Sequence, residues 1–94
     1  MKMLSELEKI KEVILQTVAA EAIYFYDDST FYVVITDKSM RPLKAMQLLN
    51  KALYDLKEFP LYLLVSEKSD FEKRKELPTL EQTIVREGVK LYGG

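Results

Sequence analysis

Apolar residues recur at helical spacing along the first stretch of the chain. Leu4, Leu7, Ile10, Ile14 and Val18 fall three or four apart, with Leu15 on the flank. They predict a helix from Met3 to Ala20. Glu8, Lys9, Glu12 and Gln16 make its wet face, and Ser5 with Glu8 fits a capping box. The period then drops to two. Ala22 to Tyr26 and Phe31 to Thr36 are rich in aromatic and β-branched residues, as strands are. The polar quartet Asp27-Asp28-Ser29-Thr30 between them suits a tight turn, so the two strands are expected to pair antiparallel.

Ser39 fits the N-cap of a second helix, with Pro42 in its first turn and an end near Lys57. Ala45, Leu48, Leu49, Ala52, Leu53 and Leu56 share its apolar face. Pro60 marks the entry to a third strand, Leu61 to Ser66. A strand–helix–strand unit of this kind is a right-handed crossover between parallel strands. Ser69 with Glu72 opens a short charged helix, Asp70 to Glu76, which Pro78 breaks. Thr79 with Gln82 opens another, Leu80 to Glu87, with Gly88 as its C′ residue and Val89 to Tyr92 as a short edge strand. The order α-β-β-α-β-α-α-(β) predicts an α+β fold: a small mixed sheet with helices packed mainly on one face.

Composition narrows the chemistry. At 94 residues, 48% hydrophobic and 31% charged, the sequence reads as one globular domain, residues 1–94, with a radius of gyration of about 12 Å. Lys+Arg number 14 against 15 Asp+Glu, which argues against a strongly basic nucleic-acid domain. There is no Cys and no His, so imidazole-based triads and Cys or His metal sites are excluded. No apolar run is long enough to span a membrane, and MKMLSELEKIKE has no signal-peptide core. A cytoplasmic protein with no membrane or nucleic-acid partner is expected.

Two charged groupings invite a site. Asp27 and Asp28, with Asp37 nearby, suggest a cation, but adjacent carboxylates in a turn point apart, and a solvated turn is the preferred reading. Arg41 and Lys44, with Lys38 and Lys51, form a candidate anion site at the start of the second helix. An ordinary wet face, with Arg41 or Lys51 paired to Asp55, is preferred there too.

The strand residues divide into two alternation sets. Ile23, Phe25, Phe31, Val33, Ile35, Leu61, Leu63 and Val65 are wholly apolar and are expected to face the helices. Tyr24, Tyr26, Tyr32, Val34, Tyr62 and Leu64 form the other set. Another element of the chain either covers these four tyrosines or leaves them exposed. With the amphipathic helices needed on the first face, they are expected to form an uncovered protein interface.

From about Glu21 to Tyr92 the chain resembles a minimal nucleotidyltransferase of the polymerase-beta superfamily. The stretches that carry the likeness are EAIYFY, STFYVVITDKSMRPLKAMQLLNKAL, FPLYLLVSEKSDFEKRK and LEQTIVREGVKLYG. The family's plan places a Gly-Ser motif after the first strand, an Asp-x-Asp pair on the second, and a further Asp on a later strand. Here Tyr26-Asp27-Asp28-Ser29 stands at the Gly-Ser position, Thr30 and Tyr32 at the paired Asp positions, and Tyr62 at the third. A neutral phenol, with a pKa of about 10, does not replace a carboxylate cage for Mg²⁺. Without the metals, nothing neutralises a triphosphate. The resemblance therefore implies a nucleotidyltransferase-like pseudoenzyme with no cofactor. It acts through homo-oligomerisation or a helical HEPN-type partner, as in toxin–antitoxin pairs. Alternatives are a residual nucleotidyltransferase using Asp27, Asp28 and Asp37, or a non-catalytic nucleotide sensor using Arg41 and Lys44.

Overall fold

The structure, a computed structural model, describes residues 2–27, 30–36, 40–54 and 62–93, with side chains from Leu7 onward. The elements follow the expected order: α1 (Lys2–Thr17), β1 (Ala20–Tyr26), β2 (Thr30–Ile35), α2 (Pro42–Leu53), β3 (Tyr62–Glu67), α3 (Lys68–Arg74), α4 (Leu80–Glu87) and β4 (Val89–Tyr92). The fold is a small α+β domain with a four-stranded mixed sheet in the order β3-β2-β1-β4. β1 pairs antiparallel with β2 and with β4, and β3 lies parallel to β2. The helix α2 makes the crossover that a parallel pair requires. The radius of gyration is 12.5 Å.

Local chemistry sets the element ends. α1 stops at Thr17, short of the expected Ala20, because Ala19 already accepts a sheet-like bond from the Thr36 amide at 2.9 Å. Pro42 opens α2 as expected, behind Arg41 as an N-cap without a side-chain bond. The predicted cap Ser39 lies outside the described residues, as do Asp55, Pro60 and Leu61. α3 begins at Lys68, two residues early, so Ser69 sits inside the helix and Glu67 holds the cap position. At α4 the Thr79 hydroxyl accepts from the Gln82 amide at 3.4 Å, the cap the sequence predicts. Asp27 adopts a left-handed conformation (φ 55°) at the end of β1, which a short polar side chain tolerates.

Strand register turns the alternation sets into two cores. On the first face, Phe25 stands opposite Phe31, and Phe31 opposite Leu63; Ile23, Val33 and Val65 form the next row. Ile10 and Ile14 of α1 and Ala45, Leu49 and Leu53 of α2 close over these rows. All five of these helix residues are buried. The second face corrects an expectation. The helices do not lie mainly on one side: Phe71 of α3 and Ile84 of α4 pack on Tyr24, Tyr32 and Val34. The sheet is therefore sandwiched, with α1 and α2 on one face and α3 and α4 on the other. Among the described residues, no helix is long and apolar enough to cross a membrane.

Candidate functional site

The second face carries three successive rows across β1, β2 and β3. The first is Tyr26, Thr30 and Tyr62; the second is Tyr24, Tyr32 and Leu64; the third is Ala22, Val34 and Ser66. Thr30 and Tyr62 are direct cross-strand partners, and Tyr32 follows Thr30 on the same face of β2. The three positions singled out from the resemblance thus converge at one end of one sheet face.

Their environments differ. Tyr32 is 2% exposed, whereas Tyr62 is 65% exposed. Thr30, Tyr26 and Leu64 are half-buried. The expected uncovered tyrosine face therefore fails for Tyr24, Tyr32 and Val34, which are core residues. The Phe71 ring explains it, with its centroid 5.6 Å from that of Tyr24 and 5.2 Å from that of Tyr32. Tyr62, at the outer strand, remains open, with half-buried Tyr26 in the same row.

Beneath α4 the Tyr32 hydroxyl joins a polar cluster. It donates to the Glu81 carboxylate at 2.9 Å and accepts from the Ser66 hydroxyl at 2.8 Å. Arg74 Nη1 lies 3.5 Å from Glu81 Oε2. Burial pushes the Tyr32 phenol up to about 12; the Ser66 bond opposes this, and the anionic Glu81 adds to it. Burial also pushes Glu81 up, but its backbone amide, the Tyr32 hydroxyl, Arg74 and Thr79 outweigh that and hold it below its ordinary range. The two shifts agree on one arrangement: a neutral phenol donating to a carboxylate anion. Such a phenol is neither a ready base nor a nucleophile. It ties α4 to the sheet.

The cluster is only half legible in the sequence. Tyr32 stands out there, but Ser66 looks like a plain strand residue, and Glu81 in the first turn of α4 looks like an ordinary helix acid. Its phenol partner is 49 residues away in sequence. The other candidates lie outside this cluster. Asp27 is exposed at the turn, while Asp28, Asp37 and Lys38 lie outside the described residues. Arg41 and Lys44 are both exposed at the start of α2. Among the described residues, no three acidic, His or Cys side chains gather as a metal site requires. In comparisons with protein-family models, curated proteins and solved structures, nothing matches the chain.

Proposed function

We propose that this chain is a nucleotidyltransferase-like domain without nucleotide-transfer chemistry, which works by contact with another protein. The observation that carries the reading is the convergence of Thr30, Tyr32 and Tyr62 on one end of a sheet face. These are the positions where the resemblance places three carboxylates. The Tyr32 hydroxyl there is committed to Ser66 and Glu81 inside the fold. What stays open is the outer row, with Tyr62 65% exposed. A Tyr ring buries a large apolar area in a contact and keeps a polar tip, so it suits a surface that must also face water. The partner is a second copy of the chain or a helical HEPN-type protein, in an antitoxin-like role.

Sedimentation equilibrium of the chain, alone and mixed with the helical product of an adjacent gene, tests the contact. Tyr62→Ser is expected to weaken assembly at least tenfold, or about 1.4 kcal/mol, if Tyr62 is a hot spot. Its exposure predicts an unchanged circular dichroism spectrum. A monomer that ignores the helical protein, or a variant that assembles as well as wild type, refutes the reading. Incubation with labelled nucleoside triphosphate and Mg²⁺ is expected to give no transfer. Transfer that Asp27→Ala abolishes would establish the enzyme alternative instead.

A further inference from the structure

A cleft of about 280 Å³ opens on the second face, beside α3 and β4 and away from the Thr30–Tyr62 row. Three lysines from different places in the chain line it. Lys68 opens α3, Lys75 follows the helix directly, and Lys90 lies on β4. Lys68 and Lys75 are seven residues apart, which puts them two turns apart on one side of the helix. Lys90 approaches from the strand and holds its ammonium 5.7 Å from the centre of the Tyr24 ring. Tyr24 and Phe71 form the floor of the cleft and are 7% and 3% exposed, so the rim is anchored to packed core.

Two carboxylates sit among these cations. Glu72 lies 2.8 Å from Lys75, and Glu21 3.9 Å from Lys68. The Glu72 bond, with burial opposing it, pushes the Lys75 ammonium above its ordinary value. Both glutamate side chains are about half exposed, at 52% and 42%, and such surface pairs contribute little stability. Glu72 reaches Lys75 along α3, and Glu21 reaches Lys68 from β1. A dianion seated in the cleft competes with both glutamates for these ammonium groups.

We propose that this cleft binds a small phosphomonoester, its phosphate held by Lys68, Lys75 and Lys90 and its polar body occupying the remaining volume. The binding is independent of the protein contact proposed above and of the Thr30–Tyr62 row.

Amide NMR titration at constant ionic strength tests it, with ribose 5-phosphate and inorganic phosphate as probes. Ribose 5-phosphate is expected to give saturable shifts at residues 68, 72, 75 and 90, and to bind more tightly than inorganic phosphate. Lys75→Ala and Lys90→Ala are each expected to weaken it about fivefold or more, since each removes a direct charge contact. Glu72→Gln is expected to tighten it, because a competing anion is gone. Lys73→Ala, an exposed cation on the same helix outside the cleft, is expected to change nothing. Every substituted side chain is exposed or at the rim, so circular dichroism is expected to match wild type. Absence of saturation, an equal loss with Lys73→Ala, weaker binding in Glu72→Gln, or inorganic phosphate binding as well as the sugar phosphate would each overturn the proposal.

Discussion

Tyr32 carries its hydroxyl into a place where losing the proton is costly. Burial pushes the phenol up to about 12 in the fold, from an ordinary value of 10.0. A raised acid contributes stability fully below its unfolded value and loses it as pH rises through the folded one. Two pH units correspond to about 2–3 kcal/mol, lost between roughly pH 10 and pH 12. Urea unfolding followed from pH 7 to pH 11 is expected to show the onset of that fall. Tyr32→Phe is expected to cost about 1–2 kcal/mol at pH 7, because Glu81 and Ser66 lose a buried partner. The variant is also expected to flatten the alkaline decline. An equally steep decline in Tyr32→Phe would assign it to another group.

At the scale of elements, period and register explain both the success and the failure of the sequence reading. Strict alternation sorted the strand residues onto two faces, and the pairing of Phe25 with Phe31 and of Tyr24 with Tyr32 keeps those sets intact. The long apolar stripes of α1 and α2 announced the first layer. The second layer is hard to see in the sequence because it needs so little of it. α3, KSDFEKR, buries Phe71 alone, and α4 buries Ile84 and the tied Glu81. Seven residues with one aromatic read as a charged surface helix. Phe71→Ala removes the ring that meets both tyrosines and is expected to cost about 3–5 kcal/mol, with a rise in tyrosine accessibility to a soluble quencher. Gly88, expected at C′, is the C-cap of α4, with an extended backbone at φ −80°. Its reason is close approach: a Cβ there would stand 2.6 Å from the Ile84 carbonyl oxygen and 3.2 Å from that of Phe25. Gly88→Ala is expected to cost about 1–3 kcal/mol through backbone overpacking where α4 turns into β4, read as a lower urea midpoint.

At the scale of the whole molecule, the sheet separates two cores of unequal make-up, a larger and mostly aliphatic one under α1 and α2 and a smaller one built around Tyr24, Tyr32 and Phe71 under α3 and α4. Both rest on β2, whose residues from Phe31 to Ile35 are all buried and which pairs with a strand on either side. That explains why FYVVI reads as an unbroken apolar run: neither of its faces meets water. The consequence appears in time rather than in shape. An amide exchanges with solvent when its own segment opens, and these five amides are released only by parting two strands and two helical layers together. Deuterium uptake is therefore expected to be slowest from Phe31 to Ile35 and to report the free energy of complete unfolding. Along β4, which pairs with β1 through three residues, uptake is expected to run ahead by local fraying. If β2 exchanged as fast as β4, the two cores would be opening independently. The central strand would then be a hinge between two half-stable bodies, and the domain would not unfold as one cooperative unit.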